Sequence, residues 1–221
     1  MGRKTGLGRT ALDDGTKERI RGLEHPRNLS ALASAVGSLQ WTRPFVPNLS
    51  VAIAKWKRLL GDPVGKSLQV VTVSTESTDE FGKTKDMVAD CKDLYPLSEN
   101  RVVSVDADAS PYGYGGLVYH IDDYGEKQTI LVVSGSFDKV QSKWAQAEHE
   151  AFGIMKVTTT AAPILLGRHF ILSTDARSLT FLSSDTSKKI YRWFLQLLPY
   201  HFDIRHIAAK YNQIADDLSR M

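Results

Sequence analysis

The spacing of apolar residues changes near residue 100 of this 221-residue chain. Before it, apolar residues recur every three or four positions, which predicts helices over 27–41, 49–61 and 80–95. After it, short runs rich in valine, isoleucine and aromatic residues lie between turn-forming residues, which predicts strands. We therefore expect a helical segment followed by a domain that contains a sheet.

Strands and helices alternate in the second part. The predicted strands cover 101–108, 116–121, 128–137, 168–175 and 201–207, and the predicted helices cover 142–161, 188–199 and 212–220. Three strands followed by helix, strand, helix, strand and helix favour a mixed sheet with helices on its faces. The expected fold class is α/β: a five-stranded mixed sheet with helices on both faces, preceded by a small helical segment.

Charge is distributed unevenly, although the net charge is only +3. Residues 1–66 carry 12 lysines and arginines against 5 acidic residues, whereas residues 67–221 carry 16 against 20. A basic first part favours contact with a polyanion, and a solvated charged surface is the alternative. We expect residues 1–26, which are basic, polar and glycine-rich, to be flexible.

Composition also limits where the protein works. Cys91 is the only cysteine, which excludes a disulfide within the chain and a cysteine-based zinc cluster. An intracellular location is therefore expected, without a distinction between cytoplasm and nucleus. No apolar run approaches the ~20 residues of a membrane helix, so no membrane partner is expected.

Two aspartates interrupt an apolar strand in the stretch VVSVDADAS, residues 102–110. Asp106 and Asp108 are two positions apart, so they share one face of the strand, where buried like charges repel each other. If both carboxylates are buried, each therefore needs its own stabilising interaction.

Three further acids occupy comparable positions. Glu150 lies near the buried face of a predicted helix, Asp175 ends the fourth strand, and Asp216 lies in the last helix. Each alone is typical of a capping or solvated acid. Together with Asp108 they could meet at one edge of the sheet, where a cluster of carboxylates requires cations. Such oxygen ligands select Mg²⁺ or Mn²⁺.

Other motifs do not support a different chemistry. GDPVGKS (61–67) resembles a phosphate-binding loop, but its spacing is one residue short and it follows a helix rather than a strand. The six histidines form no recognised zinc pair. No Y-x-D-D motif occurs, so we expect no polymerase active site in this chain.

Four stretches carry a specific set of motifs: DADASPYGYGGLVY, WAQAEHEAFGIMKV, FILSTDARSLTFL and IYRWFLQLLPYHFDIRHIAAKYNQIADDLSRM. In order and spacing they resemble the ribonuclease H domain of gypsy-type retrotransposon polyproteins. The matching residues are Asp108, Ser110, Gly113, Gly115, Glu148, Glu150, Thr174, Asp175, Leu179, Arg192, Trp193, Tyr200, Phe202, Ile204, Lys210, Asn212, Ala215, Asp216, Leu218, Ser219 and Arg220. Ala209 replaces a glycine of that family, which affects only a turn.

The resemblance extends upstream. LASAVGSLQWTRPFVPNLSVAIAKWKRLL is similar to the segment that links polymerase and ribonuclease H in the same polyproteins. The expected organisation is a flexible basic N-terminus (1–26), a helical connection or thumb-like segment (27–97) and a ribonuclease H-like domain (98–221). The resemblance implies that an upstream polymerase domain is a partner in the parent polyprotein and that this chain is a fragment or remnant of it.

The resemblance also implies an activity, that of a metal-dependent endonuclease that hydrolyses the RNA strand of an RNA–DNA hybrid. The implied catalytic residues, which would also hold two Mg²⁺ or Mn²⁺ ions, are Asp108, Glu150, Asp175 and Asp216. Two such ions clamp the attacking and leaving oxygens of a phosphoryl displacement. The expected substrate-binding residues are Arg43, Ser110, Lys210 and Asn212.

Two alternatives stay open. One is a catalytically inactive or domesticated ribonuclease H-like remnant with a structural or nucleic-acid-binding role, which an assay of metal-dependent cleavage would distinguish. The other is a transposase or integrase of the same broad fold, which needs a different acidic triad and often a zinc module.

The two neighbouring aspartates are expected to differ. The resemblance assigns the metal role to Asp108, and Asp106 lies about 6–7 Å back along the strand. We expect Asp106 to be an outer carboxylate, hydrogen-bonded or half-solvated, whose replacement matters less.

Overall fold

The computed structural model describes residues 2–6, 8–47, 49–60, 75–88, 91–174 and 187–206. The elements in chain order are β1 (Arg3–Gly6), β2 (Arg9–Leu12), α1 (Asp14–Arg21), α2 (Leu29–Thr42), α3 (Leu49–Ala52), α4 (Ala54–Leu60), α5 (Thr75–Asp86), β3 (Val103–Ser110), β4 (Gly113–Ile121), β5 (Lys127–Ser136), α6 (Gln146–Thr160), α7 (Ala162–Leu165), β6 (His169–Thr174), α8 (Lys188–Leu195) and β7 (His201–His206). Within these ranges, no helix is both long enough and apolar enough to cross a bilayer.

The second part of the chain forms a five-stranded sheet with the order β5-β4-β3-β6-β7. β3, β4 and β5 pair antiparallel as consecutive strands. β6 then lies parallel to β3, and β7 lies parallel to β6, because a helix is available for each crossover. The mixed five-stranded sheet predicted from the sequence is confirmed, with β3 at its centre.

One face of the sheet packs against α6 and α8. Alternate residues of β3 point to this face, and Val105 and Ala107 are fully buried there with Val157 of α6. A side chain at Gly116 would place its first carbon 2.6 Å from a methyl group of Val157. The absence of a side chain at Gly116 therefore lets α6 lie close to the sheet.

The opposite face is covered by the helical first part. Leu94 packs against a cluster of Leu117, Tyr119 and Val132 on this face. The hydroxyl of Ser134 donates to the hydroxyl of Ser50 in α3 at 2.9 Å. Helices therefore lie on both faces, as expected, and the second cover comes from the segment that precedes the sheet.

The N-terminal residues differ from the expectation of flexibility. β1 and β2 form a hairpin, and α1 begins after Asp13, whose carboxylate accepts from the backbone N–H of Thr16 at 2.6 Å. Leu12 and Ile20 are essentially inaccessible to solvent within the core of the helical part. The few apolar residues of this stretch gave no periodic pattern, although Leu12 and Ile20 occupy buried positions.

Several predicted boundaries shift. The predicted helix over 49–61 is divided into α3 and α4, and the one over 80–95 occurs earlier as α5. The strand predicted over 116–121 begins earlier, at Gly113, so only Pro111 and Tyr112 form the turn between β3 and β4. The predicted helix over 212–220 lies outside the described residues.

Leu94 joins the two parts of the molecule, and this contact can be tested. Its side chain packs against the helical core and the outer face of the sheet, and its backbone pairs with Thr10. Leu94→Ala should lower the free energy of unfolding by about 2 kcal/mol, because the cavity lies where two cores meet. Leu198→Ala, at a position 76% exposed, should change it by less than about 0.5 kcal/mol. Equal effects of the two variants in chemical denaturation would contradict this interpretation.

Candidate active site

The site is built on the polar face of β3. Ser104, Asp106, Asp108 and Ser110 alternate with the apolar residues that face α6, so they point to the opposite side of the sheet. Asp106 is 3% exposed and Asp108 is 7% exposed. Two carboxylates are therefore buried along one strand, and each needs its own source of stabilisation.

Asp106 is part of a local ion pair. Its Oδ2 accepts from Nζ of Lys127 at 2.7 Å, and its Oδ1 accepts from the hydroxyl of Tyr119 at 3.0 Å. Burial and the Asp106 charge raise the pKa of Tyr119, so this hydroxyl stays protonated and donates. The Lys127 ammonium also lies 4.3 Å from the centre of the Tyr119 ring. Asp106 is thus hydrogen-bonded as expected but buried, which corrects the expectation that it could be half-solvated.

Asp108 lies beside two glycines of β4. Asp108 is opposite Gly115 and Ser110 is opposite Gly113, so neither polar side chain faces another side chain from the paired strand. The Ser110 hydroxyl accepts from the backbone N–H of Tyr112 at 3.2 Å, which fixes the turn after β3.

Glu150 approaches the same strand end from α6. A methyl group at Gly153, one turn further along, would lie 3.3 Å from the carbonyl oxygen of Asp108, so the helix touches β3 there. The amide of Gln146 donates to Oε1 of Glu150 at 3.0 Å and lies 3.5 Å from the carbonyl oxygen of Ala109. Strand and helix therefore bring the segments of Asp108 and Glu150 together.

Glu148, the other acid of the E-x-E motif, has a structural role. Its Oε2 accepts from the backbone N–H of Ala145, which caps the start of α6. Its Oε1 lies 3.3 Å from Nζ of Lys189 in α8. The same lysine covers the ring of Trp144 at 3.4 Å. Glu148 therefore ties α6 to α8, while Glu150 lies on the side of the helix that approaches β3.

Four of the predicted site residues, Asp175, Asp216, Lys210 and Asn212, lie outside the described residues. β6 ends at Thr174 and runs parallel to β3, with Ser173 opposite Asp106. Across the described ranges, no three histidine, cysteine, aspartate or glutamate side chains form a metal-binding group. Asp108 and Glu150 supply hard carboxylate oxygens, a donor type that suits Mg²⁺ or Mn²⁺.

Arg43 reaches the sheet from the helical part. Its guanidinium Nη2 donates to the carbonyl oxygen of Ser134 at 2.9 Å, and the rest of the side chain is exposed. Ser134 is opposite Gly115, which in turn is opposite Asp108. Asp108, Gly115 and Ser134 therefore form one row of paired residues across β3, β4 and β5, and Arg43 contacts the β5 end of that row.

Sequence reasoning missed Lys127 and Tyr119 as partners of Asp106. They are separated from it by 21 and 13 positions, and only the pairing of β3, β4 and β5 brings them together. A signal was present in the sequence, because a buried aspartate beside a second aspartate needs a cation. The register that selects Lys127 could not be read from the sequence.

Comparison with known families decides the type of domain. Residues 99–200 match the model described as the RNase H-like domain found in reverse transcriptase. The fold of this part is RNase H-like, and its sequence is similar to the reverse transcriptase members of that fold. This RNase H-like domain contains β3 to α8 and includes both Asp108 and Glu150.

Relatives of the RNase H-like domain are parts of retroelement polyproteins. The Pol polyprotein of transposon 412 from Drosophila melanogaster is 31% identical over 119 residues, which cover 53% of this chain and 10% of that polyprotein. The one of transposon 297 from the same organism is 25% identical over 198 residues, 89% of this chain and 18% of that polyprotein. The transposon Tf2-3 polyprotein of Schizosaccharomyces pombe is 23% identical over 216 residues, which cover 92% of this chain and 15% of that polyprotein. The chain therefore spans less than a fifth of each of these relatives, and its resemblance to retrotransposon polyproteins is confirmed.

Solved structures share the fold. A foamy viral protease–reverse transcriptase in complex with an RNA/DNA hybrid has 20% identity and a TM-score of 0.74, over 99% of this chain and 30% of that chain. Another, in complex with double-stranded DNA, has 19% identity and a TM-score of 0.72, over 94% of this chain and 45% of that chain. These likenesses confirm the RNase H-like architecture of the five-stranded sheet and its helices.

Proposed function

We propose that the protein is a metal-dependent endonuclease that hydrolyses the RNA strand of RNA–DNA hybrids. The observation that supports this most is the position of Asp108: a buried carboxylate at the end of the central strand, with the segment of Glu150 packed against that strand end. Its neighbour Asp106 is already neutralised by Lys127. Asp108 is a second buried carboxylate on the same face of β3, and its oxygens are a donor type that suits a divalent ion.

The proposed ligands are Asp108, Glu150, Asp175 and Asp216. When bound, two Mg²⁺ or Mn²⁺ ions would supply the charge that activates a water molecule and stabilises the leaving oxygen. The described residues hold the two carboxylates in place: Gln146 orients Glu150, and β3 fixes the direction of Asp108. Ser110 lies beyond Asp108 on the same face, where its polar side chain could contact substrate.

Glu148 is not part of the proposed metal group. Its carboxylate is engaged by Lys189 and by the start of α6, although its spacing from Glu150 in the sequence is only two residues. The same separation of roles distinguishes Asp106 from Asp108. In both pairs a lysine neutralises one acid, and the other is assigned to the reaction.

The proposed substrate and setting follow from the relatives. A foamy viral relative in fold has been solved with an RNA/DNA hybrid, and the curated relatives are Pol polyproteins. We infer that this chain acts beside a polymerase domain in such a polyprotein. Hybrid duplexes would be recognised by their shape and by the 2′-hydroxyl groups of the RNA strand.

A cleavage assay tests the proposal directly. The purified chain should cleave the labelled RNA strand of a hybrid in Mg²⁺ or Mn²⁺ and leave single-stranded RNA and double-stranded DNA intact. Ca²⁺ or a chelator should stop the reaction, because the leaving group would then lack a suitable Lewis acid. Cleavage that continues in the chelator, or no cleavage at any concentration of either metal, would refute the proposal. The second of these results would favour the inactive, nucleic-acid-binding remnant.

A further inference from the structure

The start of α6 has no side-chain cap from its own N-cap residue. Ala145 stands at that position, where serine, threonine, aspartate or asparagine normally supplies an oxygen. Instead Glu148 reaches back from the first turn, and its Oε2 accepts from the backbone N–H of Ala145 at 3.1 Å. The geometry of this first turn therefore depends on where the Glu148 carboxylate is held.

Lys189 of α8 holds that carboxylate. Its Nζ lies 3.3 Å from Oε1 of Glu148 and 3.4 Å from the centre of the Trp144 ring, so one ammonium group contacts both the first turn and the residue before the N-cap. The Trp144 ring also packs against Trp193 of α8, with ring centres 5.3 Å apart. The Lys189 and Glu148 side chains are 37% and 21% exposed, so water and salt screen this pair less than an ion pair at the open surface.

The segment that Lys189 contacts also carries the amide that orients Glu150. Gln146 is the first residue of α6 and lies in the sequence between the two residues bound by Lys189. Its Nε2 donates to Oε1 of Glu150 at 3.0 Å and lies 3.5 Å from the carbonyl oxygen of Ala109 in β3. A displacement of the first turn would therefore move this amide relative to both Glu150 and β3.

We propose that Lys189 is a positioning residue for Glu150. Its contacts with Glu148 and Trp144 fix the first turn of α6. That turn places the Gln146 amide, which holds the Glu150 carboxylate near the end of β3. A residue of α8 that binds no metal itself thus determines how tightly the carboxylate group binds one. This inference rests on the proposed function, because it assumes that Glu150 is a metal ligand.

Direct binding of Mn²⁺ to the full chain, without nucleic acid, tests this role. Lys189→Met keeps most of the side-chain length but removes the charge, and it should weaken Mn²⁺ affinity about tenfold, the lower end of the range for outer partners of metal ligands. Lys189→Arg retains a cation that binds carboxylates and aromatic faces, so its affinity should stay within about threefold of that of the unmodified chain. Electron paramagnetic resonance of free Mn²⁺ measures binding without any cleavage.

Lys156→Met is the matched control. Lys156 also lies over an aromatic ring that packs against Trp144, that of Phe152 at 5.5 Å, but it belongs to the third turn of α6. The same substitution there should leave Mn²⁺ affinity unchanged. Unfolding curves establish that each variant is folded under the binding conditions, and in a folded protein a loss of stability alone does not change Mn²⁺ affinity.

A double-mutant cycle with Gln146→Leu tests the route from Lys189 to Glu150. If Lys189 acts through the Gln146 amide, Lys189→Met should weaken Mn²⁺ affinity by less than about twofold in the Gln146→Leu background. Additive losses of affinity in the double variant would overturn the proposal. Unchanged affinity in Lys189→Met, beside weakened affinity in Glu150→Gln, would overturn it as well.

The positioning role and the nuclease activity can fail separately. Mn²⁺ binding that depends on Lys189 and Glu150, in a protein that never cleaves a hybrid, would retain the positioning role and refute the nuclease. Metal-dependent cleavage with an Mn²⁺ affinity that Lys189→Met does not change would do the reverse. Unchanged affinity in Glu150→Gln would refute both the ligand assignment and the positioning role that rests on it.

Discussion

Asp108→Asn should abolish cleavage of the RNA strand in Mg²⁺, with a loss of at least roughly 10³-fold in rate. The loss of a charged ligand removes several kcal/mol of transition-state stabilisation, and each 1.4 kcal/mol is about tenfold in rate. Asparagine has nearly the shape of aspartate, so the position in β3 opposite Gly115 accommodates it without repacking. Rates should be measured under single-turnover conditions over a range of Mg²⁺ concentrations.

The same variant should be more stable than the unmodified chain when metal is absent. Asp108 is 7% exposed and shares one face of β3 with Asp106, so burial and like-charge repulsion both penalise its ionised form. Removing the charge should raise the free energy of unfolding in EDTA by on the order of 1 kcal/mol. Loss of activity together with a gain in metal-free stability is characteristic of a ligand and would not be produced by misfolding.

Glu126→Gln provides the control for this experiment. It makes the same change from carboxylate to amide at an exposed position in the turn between β4 and β5. Activity and stability should both stay close to those of the unmodified chain. An active Asp108→Asn protein would show that the match of this stretch to the RNase H-like motifs has the wrong register.

The order of elements in the sheet domain could be predicted because each element has its own periodic signal. α6 shows this best: Ala151, Ile154 and Met155 recur at helical spacing in the sequence, and all three are buried. The hairpin of β1 and β2 could not be predicted, because its few apolar residues are stabilised by contacts with the helical core rather than by a local pattern. Tertiary contacts of this kind leave little trace in a short window of sequence.

The candidate site, like the fold, could be predicted from the sequence only in part. The motifs identified Asp108 and Glu150, and the structure brings their segments together. The proximity of Arg43 to the sheet depends on how the helical part packs, so no local signal gives its contact with Ser134. The roles of Asp175 and Asp216 remain predictions from the motifs, since both lie outside the described residues.

Lys127→Met should be the most destabilising change in the network around Asp106. The Asp106 side chain is 4% exposed, so without Lys127 its charge would be buried with only the Tyr119 hydroxyl as a partner among the described residues. Such an isolated buried charge costs about 3 kcal/mol of unfolding free energy. Asp106→Asn should cost less, about 1–2 kcal/mol, because the lysine left behind is 39% exposed and can be solvated.

The double variant Asp106→Asn/Lys127→Met separates an ion pair from simple packing. If the two charges stabilise each other, the double variant should be more stable than Lys127→Met alone, because no unpaired charge remains. The coupling energy from chemical denaturation of all four proteins should then be at least about 1 kcal/mol. If the losses of unfolding free energy in the two single variants simply add in the double variant, an ion pair between Asp106 and Lys127 would be contradicted. Asp106→Asn should also retain metal-dependent cleavage at a temperature where it is folded, since its carboxylate serves Lys127 and Tyr119 rather than the reaction.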